Sequence, residues 1–248
     1  MALLIAIAGP ALACAQTDEI QVYDAAIAAP GTLELTWHNN FIAHGSRVAA
    51  EPGGIVPDRS FNGVTEWAYG VTSWLESGLY LPIYTRTATG AVLYDGFKLR
   101  ALFVVPDAVE RRFFYGVNFE FSVNTAHWDA HRYTSEIRPI VGWHLGKLDV
   151  VFNPILDGAY DGLSNLRFAP ATRIMYAIRK LDLGIEEYAD FGPLKRFDPR
   201  PEQSHVLFGV ADWAVHGVSV EAGAGFGLTR TSDHRVFKLI LMWDLTGR

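Results

Sequence analysis

Three short constellations in this chain carry side chains capable of chemistry. Ser204-His205 is an adjacent nucleophile and base. His127-Trp128-Asp129-Ala130-His131 has His-x3-His spacing around a carboxylate, and Glu221-Ala222-Gly223-Ala224-Gly225-Phe226-Gly227 is glycine-rich. Each fails on spacing. Neighbours in a strand point to opposite faces, so Ser204 and His205 cannot pair directly as nucleophile and base. His-x3-His suits a metal only when the segment is helical, and here it reads as a surface loop with incidental histidines. Glycines at period two share one strand face, where they thin a wall and leave space inside; they do not cradle phosphate. No catalytic residue, metal site or cofactor is expected.

A larger set of charged and polar residues recurs with strand parity. Glu34, His38, Glu66, Glu76, Lys98, Arg100, Asn118, Glu120, Glu136, Arg138, Asp149, Asn153, Arg173, Glu186, Glu221 and Lys238 all fall on the face opposite the apolar one. Opposite signs then meet across neighbouring strands. Lys98 and Arg100 fall near the level of Glu120, which lies beside Glu136 and Arg138. Arg173 reaches Glu186, and Glu221, Lys238 and Glu34 span the seam between the last strands and the first. Such ladders either cross-link a narrow interior, because confined charges persist only when paired, or line a water path and set its selectivity.

The elements that must position these residues are strands. In Arg112 to Ser122, the odd positions Phe113, Tyr115, Val117, Phe119 and Phe121 are apolar or aromatic, while Arg112, Asn118, Glu120 and Ser122 share the other face. One face suits lipid and the other water. Alternation, broken by Gly, Pro, Asn and Asp, gives segments 32–43, 60–73, 74–85, 93–105, 111–123, 132–145, 147–157, 166–178, 180–190, 203–213, 217–228 and 234–245. The fold class expected is all-β: a closed antiparallel up-and-down transmembrane β-barrel of about 12 strands, with short periplasmic turns and longer extracellular loops. Tight connections at 73–74, 106–110, 146–147, 179–180 and 214–216 alternate with longer polar ones.

Aromatic residues support a bilayer setting. Trp74, Phe113, Trp143, Trp213 and Trp243 fall at the periplasmic ends, and Phe41, Phe61, Tyr84, Tyr133, Phe168 and Phe226 at the other rim. A secreted β-sandwich explains the alternation but not this placement. Two details demand local irregularity. Pro82, Pro139, Pro154 and Pro170 lie inside strands and require bulges or kinks. Adjacent Glu186 and Glu187 cannot both face inward.

Composition narrows the partners. The chain has 248 residues, half hydrophobic and 19% charged, with net charge −6 and no basic block, which excludes nucleic acid. Residues 1–15 read as a secretory signal peptide ending Ala13-Cys14-Ala15, although no Lys or Arg precedes the apolar run; the lipoprotein reading of Ala11 to Cys14 is poorer. Cleavage there removes the single cysteine. Residues 16–31 form either a periplasmic N-terminal segment or a plug, and 32–248 the outer-membrane barrel. The expected partners are outer-membrane lipid, the outer-membrane insertion machinery and a small solute of unspecified identity.

The stretch Asn62-Gly63-Val64-Thr65-Glu66-Trp67-Ala68-Tyr69-Gly70-Val71-Thr72-Ser73-Trp74-Leu75-Glu76-Ser77-Gly78-Leu79-Tyr80-Leu81-Pro82 resembles the Tyr-Gly-(Leu/Val)-Thr-x-x-Leu-Glu-x-Gly hairpin of a group of outer-membrane transporters named after the phenol meta-degradation pathway. Asp95 to Phe103 and Asn153 to Leu156 carry similar wording. The resemblance implies a bacterial outer-membrane barrel moving small compounds, hydrophobic or aromatic ones included. It brings no catalytic residues, and its matched inward positions are Glu66 and Glu76. The C-terminus departs from the usual pattern, continuing Thr246-Gly247-Arg248 beyond the last strand. Three functions from different classes follow: a narrow channel or transporter, a structural or binding barrel closed by its ion pairs, and a lipid-modifying enzyme.

Overall fold

The computed structural model describes residues 18–246. The expected signal peptide and Cys14 therefore lie outside the described residues.

Alternation becomes wall. Among the described residues, fifteen strand segments form one antiparallel sheet in which nearly every strand pairs with its sequence neighbours. The first strand, β1 (Leu33–His44), pairs with the last, β15 (Arg235–Asp244), from Glu34↔Asp244 to Ile42↔Val236, and this seam closes the barrel. The wall continues through β2 (Phe61–Thr72), β3 (Leu75–Arg86), β4 (Val92–Tyr94), β5 (Phe97–Val104), β6 (Phe113–Val123) and β7 (Tyr133–Leu145). It then passes through β8 (Leu148–Asn153), β9 (Leu156–Gly158), β10 (Arg167–Phe168), β11 (Ala171–Ile178), β12 (Leu181–Asp190), β13 (Ser204–Val215) and β14 (Val218–Gly227). The pairs β4/β5, β8/β9 and β10/β11 are each one crossing interrupted in the middle, so the wall has twelve crossings.

The interruptions have a cause. Val141↔Phe152 and Ile137↔Leu156 bracket Pro139 opposite Pro154, while Ala171↔Asn153 and Phe168↔Leu156 bracket Pro154 opposite Pro170. Three prolines thus stand in a row across the wall, each lacking a ladder donor, and regular pairing stops at that level. At Pro82 the register of β2 and β3 slips between Val64 and Glu66, a bulge. The Leu81 carbonyl beside it accepts from Thr65 Oγ1 at 2.6 Å and Trp67 Nε1 at 3.0 Å. A carbonyl facing hydrocarbon needs such partners.

The two faces differ as the period predicts. In β6, Phe114 and Asn118 are 0% exposed while Tyr115 is 54% exposed. Phe41, Trp67, Leu99, Phe119, Ile137, Ile174, Ile185 and Leu239 are exposed around the outside, and a surface this apolar is stable only against lipid. Trp74 stacks on Phe103 and Phe113 packs on Trp143, 5.5 Å between centroids, at the short-turn end. The Glu186/Glu187 conflict resolves by parity: Glu186 is buried inside, and Glu187 points outward to His205 Nδ1 at 3.1 Å.

The inner face is less polar than the alternation suggests. Leu102, Val104, Phe114, Ile140 and Val151 are buried in one interior cluster, and Ile42, Met175, Val206, Phe208, Val210 and Val236 in another. Nor do the glycines of β14 leave empty space. A Cβ on Gly225 would meet the Phe208 ring at 2.5 Å, and one on Gly223 would meet the Lys238 stem at 3.1 Å. The thinned wall is filled by neighbouring side chains.

Candidate functional site

Residues 18–31 enter the barrel and do not follow the strand ladder. The chain crosses close to β2: Gly31 N donates to Gly70 O at 2.8 Å, and a Cβ on Gly70 would collide with the Ala29 carbonyl. Only glycine allows that approach. Val22, Tyr23, Ala25 and Ala28 are buried, the first three within the Phe114 and Ile140 cluster.

Side chains from the wall hold this segment. Asn153 grips the backbone of Tyr23 at both ends: its Oδ1 accepts from Tyr23 N at 2.8 Å, and its Nδ2 donates to Tyr23 O at 2.9 Å. Arg138 Nη1 donates to Gln21 O at 3.0 Å, and Lys238 Nζ to Ile20 O at 3.2 Å. Asn40 Nδ2 donates to Asp18 O at 3.0 Å, and Ala28 N donates to Glu76 Oε2. Contacts from β1, β3, β7, β8 and β15 therefore converge on it.

Two polar belts surround the segment. In the first, Arg100 Nη2 donates to Glu66 Oε1 at 2.5 Å and to Glu76 Oε1. His38 Nε2 lies 3.1 Å from Glu66 Oε2, and Lys98 pairs with Asp18. Asn118 Nδ2 donates to Glu120 Oε1 at 2.8 Å, while Arg138 binds Glu136 through Nε at 2.6 Å and Nη2 at 3.1 Å. The Arg138 guanidinium also sits 4.3 Å from the Tyr23 ring centre. Tyr23 closes the belt, donating to Glu19 Oε1 at 2.7 Å and meeting the Tyr80 hydroxyl.

In the second belt, Arg173 Nη1 contacts Glu186 Oε1 at 2.7 Å and Glu221 Oε2 at 2.6 Å, and its Nη2 contacts Asp212. Lys238 bridges Glu186 and Glu221. Tyr188 donates to Glu186 Oε2 at 2.8 Å. Every buried charge here has a partner of opposite sign, which low-dielectric burial requires.

Most of the parity-selected residues enter these belts. Arg100↔Glu120, Glu120↔Glu136 and Arg173↔Glu186 are register pairs. Three positions fall elsewhere or pair differently. Glu34 is half-buried beside Asp244 at the short-turn end, so it takes no part in the Lys238 seam. Asp149 meets His144 Nδ1 at 2.7 Å with its side chain 44% exposed, apart from both belts. The ion-pair partners of Arg100 are Glu66 and Glu76, although Glu120 is its register neighbour.

Sequence reasoning missed Asp18, Glu19, Tyr23, Tyr80, Tyr188 and Asp212. Asp212 shares parity with the inward Phe208 and Val210 and was findable on that ground. Tyr80 and Tyr188 share parity with Glu76 and Glu186 and were findable on the same ground, whereas Tyr23, like Asp18 and Glu19, lies in a segment with no strand period. Ser204 and His205 do lie on opposite faces: Ser204 Oγ donates to Ser232 Oγ at 3.3 Å, and His205 turns to Glu187. His131 makes exposed contacts with Asp129 and Asp161 in the loops.

Fold and interior together define a barrel of the outer-membrane class, with its own N-terminal segment inside. No protein-family model matches the chain, and no curated protein matches it in sequence. Among solved structures it is similar to the COG4313 outer membrane channel from Pseudomonas putida F1, with TM-score 0.54 and 12% identity over 92% of this chain and 100% of that one. It also aligns with a bacterial polysaccharide outer membrane secretin, with TM-score 0.45 and 9% identity over 88% of this chain and 100% of that one. For LpxR from Salmonella typhimurium the TM-score is 0.41, with 10% identity over 85% of this chain and 99% of that one. At 12% identity the likeness to the Pseudomonas putida channel is one of fold.

Proposed function

We propose that this protein is a narrow, gated outer-membrane channel for small compounds, hydrophobic or aromatic ones included, with residues 18–31 as the gate. The observation that carries the reading is how that segment is held. Separate side-chain contacts from opposing walls tie it down, so it can leave without unzipping a strand ladder. Outward aromatic residues meet membrane lipid, and assembly is by the outer-membrane insertion machinery. The Pseudomonas putida neighbour is an outer membrane channel, which agrees with this reading, as does the hairpin resemblance at Glu66 and Glu76.

Single-channel recording in a planar bilayer tests it. The refolded chain should pass little current, and a variant lacking residues 18–30 should give discrete, reproducible steps. If both are silent while the barrel remains folded, the protein is a structural or binding barrel closed by its ion pairs. Glu66→Gln in the open variant should change ion preference, and an unchanged preference would remove Glu66 from the conducting path. Catalysis forms no part of the proposal; incubation with outer-membrane lipid, followed by product analysis, should return the lipid unaltered.

A further inference from the structure

The first belt contains more negative charge than its cations balance. Asp18, Glu19, Glu66, Glu76, Glu120 and Glu136 are all buried within it, against Lys98, Arg100 and Arg138. A buried excess of carboxylates is stable only with protons or a further cation. One group of side chains has the composition to supply a cation site. Glu19, His38 and Glu66 are 1%, 0% and 4% exposed, and one ligand atom from each lies within 4.8 Å of the others.

We propose that Glu19, His38 and Glu66 bind a divalent transition-metal cation of the zinc class, fastening the N-terminal segment to the barrel wall. His38 and Glu66 come from adjacent strands, β1 and β2, with Thr36↔Glu66 in register and His38 two residues further along the same inward face. Their Nε2 and Oε2 atoms stand 3.1 Å apart. Bonds of about 2.0–2.1 Å in a tetrahedral site give a ligand–ligand edge of about 3.3 Å, so this pair already has the spacing of two ligands on one ion.

The third ligand is the one on the segment. Glu19 Oε1 accepts from Tyr23, while Glu19 Oε2 is buried with no hydrogen-bond partner among the described residues. His38 Nδ1 is likewise buried and unpartnered among them. Arg100 pairs with Glu66 Oε1, and Oε2 faces His38 Nε2. One imidazole nitrogen and two carboxylate oxygens suit zinc and its first-row neighbours better than calcium or magnesium, which prefer all-oxygen shells. Two carboxylates and a neutral imidazole also cancel the charge of a divalent ion. Because Nδ1 lacks the outer partner that orients most ligating histidines, micromolar affinity is expected rather than nanomolar.

Binding at this site stands apart from the channel proposal; only its effect on the gate rests on that reading. The test is calorimetric titration of zinc chloride into the full chain refolded in detergent micelles. One ion per chain should bind, at least tenfold more weakly in Glu19→Gln and in His38→Ala, and equally well in His131→Ala. Glu19 lies outside every strand, so Glu19→Gln decides the matter if the His38 variant fails to fold. Absence of saturable binding, binding that survives Glu19→Gln, or binding lost with His131→Ala would overturn the site. Bilayer recordings with and without zinc form a separate readout: zinc binding with no change in current would retract the gating role and leave the site intact.

Discussion

The two belts inside the barrel are built from the same residue types and closed in different ways. On the β11–β15 side, Arg173 and Lys238 join Glu186, Glu221 and Asp212, all from wall strands, and the N-terminal segment adds the Ile20 carbonyl and the nearby charge of Asp24. On the β1–β7 side, two of the six carboxylates, Asp18 and Glu19, arrive on the segment itself. One belt therefore draws its ion pairs from the wall. The other is an interface between wall and segment, and its charge balance changes if the segment moves.

That contrast can be broken by experiment. The largest effect is expected from Arg100→Ala, which strands Glu66 and Glu76 in a buried site; removing one partner of a buried ion pair costs about 3–5 kcal/mol. Denaturant unfolding of the barrel in lipid or detergent measures this. Arg173→Ala should cost less, because Lys238 still bridges Glu186 and Glu221. An equal cost would erase the distinction between the belts.

Asn153→Ala should act on the segment alone. It removes two hydrogen bonds to the Tyr23 backbone, worth about 1–3 kcal/mol where a buried group is left unsatisfied. Faster amide exchange confined to residues 18–31, with unchanged unfolding of the wall, is the expected result. Exchange spreading into β6 and β7 would show that segment and wall open as one unit.

The smallest effect lies in a loop. Burial raises the Asp233 carboxyl above the usual carboxylate range, against the opposing hydrogen bond from Ser46 N. A raised folded-state value means that the folded loop holds the proton more tightly than the unfolded chain. This contribution is therefore full at low pH and declines as pH climbs from 3.8 through the folded-state value. Protease sensitivity of the 45–60 loop should rise over that window, and Asp233→Asn should flatten the rise.

The wall was legible because period-two alternation is a property of neighbouring residues. The twelve crossings, the inward parity of Glu186, and the need for irregularity at Pro82, Pro139, Pro154 and Pro170 all follow from local order. The row formed by the last three prolines did not, because it depends on the register of separate strands. Asp212 escaped notice because Val206, Phe208 and Val210 precede it on the inward face of its strand. The apolar interior around Phe114 and Phe208 also escaped, because strict alternation assigns water to that face.

The sequence by itself determined a membrane barrel and two alternating faces along each strand, since a residue's face is decided by its parity along its own strand. Tertiary structure decided which charges pair, because Arg100 finds Glu66 and Glu76 across β2 and β3 while a register neighbour, Glu120, stands on the other side. It also decided where the N-terminal segment goes. That segment has no periodic signal, and its place is determined by side chains at Asn40, Glu76, Arg138, Asn153 and Lys238, which only the closed barrel brings to a single chain.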